Sequence, residues 1–102
     1  MQKEVDDFIS AHGGYWPPLN MLARLMEEAG ELAREMNHVF GMKKRKPEEK
    51  IKSIEGEMGD IIFNLACMAN HMGIDLDEAF RKTMDKARSR DTDRIKDLET
   101  MG

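Results

Sequence analysis

Acidic residues recur at a spacing of three in two separate segments of the chain. Glu28 and Glu31 follow Glu27 in the first segment, and Glu57 and Asp60 form the second pair. In a helix, residues three apart lie within about 60° of each other, so each segment presents two carboxylates on one face. A bound cation would remove their mutual repulsion, and oxygen ligands alone select Mg²⁺ or Mn²⁺. These four acids are the predicted metal ligands; the alternative is an ordinary solvated helix face.

Two long helices must position these acids. Apolar residues recur at steps of three and four from Leu19 to Met36 and again from Ile51 to Met72, which is typical of amphipathic helices. Gly41 and Pro47 delimit the connection between them, because glycine suits a helix end and proline a first helical turn. Two antiparallel helices about 8 to 10 Å apart would point the four carboxylates into one cleft.

The remaining segments also favour helices. Residues 3–11 form a short amphipathic stretch that ends at Gly13-Gly14. Asp75 with Glu78 predicts the start of a fourth helix, from Leu76 to about residue 88. The charged tail, residues 91–102, is expected to be a frayed or partner-dependent helix. The fold class predicted for residues 1–102 is a single all-α domain, a four- to five-helix bundle that oligomerises through apolar helix faces.

Composition excludes several classes of protein. The 102 residues carry 16 Lys and Arg against 20 Asp and Glu, a net charge of −4, which argues against nucleic-acid binding. No apolar run approaches the roughly 20 residues that span a bilayer, and the first ten residues do not have the pattern of a secretory signal. We therefore expect a cytoplasmic protein with no membrane partner. The lone Cys67 excludes an internal disulfide and a cysteine zinc site.

The combined acidic pattern resembles that of the MazG-like nucleotide pyrophosphohydrolases, relatives of the dimeric all-α dUTPases. It reads Glu27-Glu28-Ala29-Gly30-Glu31, then twenty-five residues, then Glu57-Met58-Gly59-Asp60, and the likeness extends from about residue 15 to 94. The resemblance implies Mg²⁺-dependent hydrolysis of a nucleoside triphosphate to a monophosphate and pyrophosphate, an activity suited to clearing damaged or otherwise non-standard nucleotides.

The resemblance also implies the roles of individual residues. Glu28, Glu31, Glu57 and Asp60 would hold Mg²⁺. Glu27 and Glu28 would be catalytic, with Glu27 supporting the ligands or acting as the base for water. The short single-copy chain is similar to the branch that assembles as homodimers or homotetramers.

A triphosphate also needs basic and base-recognising groups. The loop run Lys43-Lys44-Arg45-Lys46 and the i, i+4 pair Lys86 and Arg90 are candidates for phosphate contacts. Trp16, just before the first acidic helix, is a candidate for stacking on the base, and Asn64 for a hydrogen bond to ribose or water. The alternatives are a solvated connector for the loop run, packing over the bundle end for Trp16, and an ordinary polar helix position for Asn64.

Two other interpretations stay open or are weak. A non-catalytic helical module that dimerises through its Met-rich face would explain the amphipathic helices, but not acids concentrated beside the core. Glu35 and His38 have the Glu-x-x-His spacing of di-iron bundles, which need two such pairs. No second pair occurs, so an exposed helix end is expected there.

Overall fold

The chain forms four helices and, within the described residues, no strand. The computed structural model describes the backbone of residues 1–41 and 47–101, and the side chains of residues 1–41, 53–91 and 94. The helices are α1 (Gln2–Ala11), α2 (Pro18–Phe40), α3 (Pro47–Met72) and α4 (Leu76–Met101). The predicted all-α class is confirmed. The predicted basic run at residues 43–46 lies outside the described residues.

Glycines end α1 and α3, as the sequence predicts. Gly73 follows α3 with φ +70°, a backbone conformation that residues other than glycine rarely adopt. The Ile74 N–H then donates to the Ala69 carbonyl at 2.8 Å, which satisfies an otherwise unpaired helix-end acceptor. Asp75 caps the next helix, because its Oδ1 accepts the N–H groups of Asp77 and Glu78 at 3.0 and 3.2 Å. The predicted start of α4 is therefore confirmed.

The predicted end of α4 near residue 88 is wrong. The helix continues without interruption from Leu76 to Met101, through most of the segment that was expected to form a separate tail. No glycine or proline occurs in this stretch to stop it. Charge pairs also support the helix surface: Arg81 pairs with Glu78 at 2.5 Å and with Asp85 at 3.0 Å, spacings at which opposite charges stabilise a helix.

The helices α2 and α3 pack along most of their lengths, and α1 packs against α3. Residues before Glu28 on α2 lie opposite residues after Glu57 on α3, so the two helices run antiparallel, as predicted. The buried side chains cluster where α1, α2 and α3 meet; they are Met21, Asn64, Ala66, Cys67 and Ala69. Small residues on α3 thus permit the close approach of its neighbours.

Much apolar surface stays uncovered in the isolated chain. The radius of gyration is 18.4 Å, whereas a compact chain of 100 residues has about 13 Å, because α4 makes few contacts with the other helices. Large apolar side chains on α2, α3 and α4 are exposed, among them Leu19, Met26, Met58, Ile62 and Phe80. In the part of the chain that is described, no helix is long and apolar enough to cross a membrane.

Candidate active site

Three carboxylates converge between α2 and α3. Glu28 and Glu31 lie one turn apart on α2, and Glu57 reaches them from α3; one carboxylate oxygen of each lies within 4.8 Å of the others. Glu28 and Glu57 are half-buried, whereas Glu31 is exposed. The antiparallel packing thus brings together three of the four acids that the sequence predicts as metal ligands. We call these three residues the acid cluster.

The acid cluster holds an excess of negative charge. The pKa of Glu57 is raised to about 7, chiefly by the hydrogen bond that it shares with Glu28, then by burial and by the nearby Glu31. Its Oε2 atom is buried and has no hydrogen-bond partner, although a buried carboxylate oxygen without a partner is costly. An all-carboxylate donor set with an orphaned oxygen fits a hard divalent cation such as Mg²⁺.

The other two predicted acids lie apart from the acid cluster. Asp60 is exposed on α3, one turn beyond Glu57, and none of its oxygens falls within the group of Glu28, Glu31 and Glu57. Glu27 is likewise exposed on α2. Their roles as ligand and catalytic group stay predictions.

A cleft of about 340 Å³ opens beside the acid cluster, where α1 and the α1–α2 connection meet α2 and α3. Its size falls within the range of small-molecule sites. Trp16, predicted to stack on the base, and Asn64, predicted to bond ribose or water, both line it. The full lining comprises Phe8, Ile9, His12, Gly14, Tyr15, Trp16, Met21, Arg24, Phe63, Asn64 and Cys67.

Asn64 and Trp16 enter the cleft in different ways. Asn64 is only 6% exposed, and its Nδ2 donates to the Asp60 carbonyl at 2.9 Å. Since only the amide nitrogen can donate to a carbonyl, the Oδ1 atom is the part of Asn64 left to accept a hydrogen bond. Trp16 is 59% exposed, so a large part of its ring is accessible at the rim of the cleft.

Sequence reasoning missed most of the cleft. Phe8 stacks on His12 with centroids 4.3 Å apart and meets the edge of Phe63 at 6.4 Å, although Phe8 and Phe63 lie on different helices far apart in sequence. Arg24 supplies a cation in the lining. Its position one turn before Glu28 on the same helix was the available signal for it.

The predicted phosphate-binding residues of α4 lie elsewhere in the isolated chain. Lys86 and Arg90 are exposed and do not line the cleft. The expectation that Glu35 and His38 form an exposed helix end is wrong: both residues are half-buried, and the Nδ1 atom of His38 is buried without a hydrogen-bond partner.

Comparison with known proteins identifies this architecture. The MazG nucleotide pyrophosphohydrolase domain matches residues 17–95, which include α2, α3, the acid cluster and most of α4. The chain belongs to this family. Membership makes the protein a hydrolase that acts on acid anhydrides, and it confirms the resemblance that the acidic spacing carries.

Relatives occur in Bacillus subtilis (strain 168). The chain is 50% identical to the uncharacterised protein YpjD over 95 residues, 92% of this chain and 86% of YpjD. It is 34% identical to the uncharacterised protein YvdC over 80 residues, 72% of this chain and 74% of YvdC.

Two solved structures share the fold. The crystal structure of YPJD from Bacillus subtilis, named as a candidate pyrophosphatase, superposes with a TM-score of 0.75 at 51% identity, covering 83% of this chain and 88% of that one. A Bacillus-conserved MazG protein, named as a nucleotide pyrophosphohydrolase, gives a TM-score of 0.72 at 49% identity, covering 84% and 83%.

Proposed function

We propose that the protein is a Mg²⁺-dependent nucleoside triphosphate pyrophosphohydrolase that releases a nucleoside monophosphate and pyrophosphate, with Mn²⁺ as an alternative ion. The observation that carries the proposal is the acid cluster, with its orphaned Glu57 oxygen, about one helical turn from a cleft that offers aromatic faces and an arginine. The acid cluster suits cations, and the cleft suits a nucleoside. We call the acid cluster and the cleft together the groove.

In this proposal each acid has a distinct task. Glu28, Glu31 and Glu57 would hold the cation, and Asp60 would be the fourth ligand. Glu27, the exposed neighbour of Glu28 in sequence, would take the proton from the attacking water. When bound, the cation neutralises phosphate charge and lowers the pKa of a bound water.

The geometry of the groove supports attack at the α phosphorus. Arg24 lies four residues before Glu28, about 6 Å along α2, and Asn64 lies seven residues after Glu57, about 10 Å along α3, so both are on the same side of the acid cluster. A base stacked on Trp16, with its sugar near Asn64, would therefore hold the phosphate nearest the sugar at the acid cluster. Pyrophosphate would be the leaving group.

The proposal includes assembly into a homodimer or homotetramer in the cytoplasm. Apolar side chains are exposed on α2, α3 and α4; apolar surface commonly marks an interface, and a second copy is the simplest cover. Assembly would also let Lys86 and Arg90 of one copy reach the phosphates bound by another. A monomer at micromolar concentration in light scattering would contradict this part.

A non-catalytic interaction module is the competing function, favoured only by the same exposed apolar faces. The proposed enzyme and a non-catalytic module differ in how their stability responds to metal. A ligand that binds only the folded state raises its stability, so Mg²⁺ should raise the Tm and EDTA should reverse the rise. A plain helical module should not respond.

Hydrolysis in ¹⁸O-labelled water tests the reaction itself. We expect the label in the nucleoside monophosphate, with unlabelled pyrophosphate as the second product, across a panel of ribo-, deoxy- and modified triphosphates. Labelled orthophosphate as the primary product would refute attack at the α phosphorus. The Glu57→Gln variant, purified in parallel, controls for contaminating phosphatases.

A further inference from the structure

The connection between α1 and α2 carries Trp16 next to a tyrosine that is tied to two helices. The hydroxyl of Tyr15 donates to Asp6 Oδ1 on α1 at 2.5 Å. The ring of Tyr15 also meets the edge of His71 on α3, with ring centroids 5.9 Å apart and an interplanar angle of 67°. Tyr15 therefore joins the connection to both α1 and α3.

The backbone around Tyr15 has little else to hold it. Gly13 and Gly14 have φ values of +102° and +88° with no atom near the place of a side chain, so packing does not fix them. At the end of α1, the Gly14 N–H donates a hydrogen bond to the Ile9 carbonyl at 2.9 Å. Among the described side chains of residues 13–17, Tyr15 makes the side-chain hydrogen bond, to Asp6.

The helix ends near Tyr15 are tied together by hydrogen bonds of Gln2. Asn70 Nδ2 donates to the Gln2 carbonyl at 2.9 Å, and Gln2 Nε2 donates to Asn70 Oδ1 at 3.0 Å. Gln2 Oε1 also accepts the Leu76 N–H at 2.7 Å. This network joins the starts of α1 and α4 to the end of α3, next to His71, on which the ring of Tyr15 packs.

We propose that Tyr15 is a positioning residue whose bond to Asp6 holds the ring of Trp16 at the rim of the cleft before the nucleotide arrives. This inference rests on the proposed function, in which Trp16 stacks on the base. A hydrogen bond to a carboxylate is among the stronger kinds. A Trp16 ring that is already held in position costs less conformational entropy when the nucleotide binds.

Loss of the Tyr15–Asp6 bond should weaken nucleotide binding without slowing the chemical step. Neither residue belongs to the acid cluster, so kcat should stay near the wild-type value. The KM for the nucleoside triphosphate should rise by about three- to tenfold, the range for a partly exposed bond to a charged group.

The experiment compares Tyr15→Phe, Asp6→Ala and their double variant with a matched control, Asp7→Ala. Asp7 neighbours Asp6 on α1 and is equally exposed, but Tyr15 bonds only Asp6 of the two. Tyr15→Phe keeps the ring and its contact with His71, and circular dichroism checks that each variant is folded. We expect the same rise in KM for both single variants, no further rise in the double variant and none in Asp7→Ala.

Trp16 is the only tryptophan in the chain, so its fluorescence reports on this connection without a substrate. Tyr15→Phe and Asp6→Ala should increase acrylamide quenching of Trp16 and lower its anisotropy, and Asp7→Ala should change neither. Unchanged quenching would overturn the positioning role, even if the wild-type enzyme proved inactive. Altered quenching with an unchanged KM, or a fall in kcat alone, would overturn it as well.

Discussion

The acid cluster joins α2 to α3, and the cleft lies where α1 meets these same two helices. The two regions are built in opposite ways. In the acid cluster, three like charges converge, and the Oε2 atom of Glu57 is buried without a partner. In the cleft, Asn64 has its amide bonded to a carbonyl, and Tyr15 is bonded to Asp6. One region is electrostatically unsatisfied in the isolated protein, and the other is already ordered.

This difference indicates what each region contributes. A cluster that repels itself needs a cation to become favourable, so its activity should depend on the charge of each member. A preformed aromatic cleft supplies shape and contact area, so its substitutions should act on binding. The two regions should therefore fail differently when single residues are changed.

The largest effect is expected from removing charge at the acid cluster. Glu31→Gln should lower metal-dependent turnover by more than about 100-fold, since even residues that only orient a metal ligand cost about 10- to 100-fold. The metal-free protein should be no less stable than wild type, because the change relieves repulsion. Turnover measured with pyrophosphate detection checks this, and near-normal activity would contradict the metal assignment.

Asp60→Asn tests whether Asp60, which lies apart from the acid cluster, is a metal ligand. We expect a comparable loss of turnover if Asp60 closes on the bound ion, with the fold intact by circular dichroism. A loss confined to a few-fold would mean that Glu28, Glu31 and Glu57 suffice to hold the ion.

A smaller effect, on KM, is expected at the cleft. Trp16→Ala should raise the KM for nucleoside triphosphates by roughly 5- to 150-fold, since stacking on a base contributes about 1 to 3 kcal/mol, while kcat stays within about twofold. Trp16→Phe, which keeps an aromatic face, is the matched control. If Trp16→Ala lowered kcat and left KM unchanged, the division of labour between the two regions would be wrong.

The sequence predicts the acid cluster better than the cleft, for a physical reason. Acids three residues apart on one helix share a face by local geometry, so Glu28 and Glu31 can be paired without knowing the fold. Phe8 and Phe63 meet only because α1 packs across α3. From sequence alone, an apolar residue at either position is equally consistent with the hydrophobic core. A side chain such as Asp60 can also turn away from its helix face, which spacing does not show.

Helix bounds follow the same rule. Glycine and proline at residues 13, 18, 41, 47 and 73 punctuate the chain, and the ends of α1, α2 and α3 fall beside them. Between Leu76 and Met101 no such residue occurs, and the density of charge from residue 91 onward alone predicts a separate tail. Charge pairs at i, i+3 and i, i+4 spacing stabilise the first half of α4, between Glu78 and Asp85, and the helix continues to Met101 because no such residue stops it.

A few-fold effect is expected from the basic residues around the groove. Arg24→Met, within the cleft, should raise the KM at any protein concentration. Lys86→Met and Arg90→Met should raise it only under conditions in which the protein is assembled, because α4 lies apart from the groove in one chain. Kinetics across a dilution series, with light scattering in parallel, check this. Equal effects of all three variants on a monomer would contradict the proposed contribution of a second copy.

The smallest expected effect is on the pH dependence of stability without metal. The pKa of Glu57 is raised to about 7 in the folded protein, above its value in an unfolded chain, so the folded state holds this proton more tightly. Its contribution is fully present below about pH 4 and is lost as the pH rises through about 7. Glu57→Gln mimics the protonated form at every pH.

In EDTA, the Tm of wild type should therefore fall relative to that of Glu57→Gln as the pH rises from about 5 to about 8. Other titrating groups are common to both proteins, so the difference between the two curves isolates Glu57. Adding Mg²⁺ should reverse the order at the higher pH, because the cation replaces the proton on wild-type Glu57 and the amide of the variant binds it poorly. Parallel Tm profiles in EDTA would mean that Glu57 is not held against its neighbours, and the contrast between an unsatisfied acid cluster and an ordered cleft would fail.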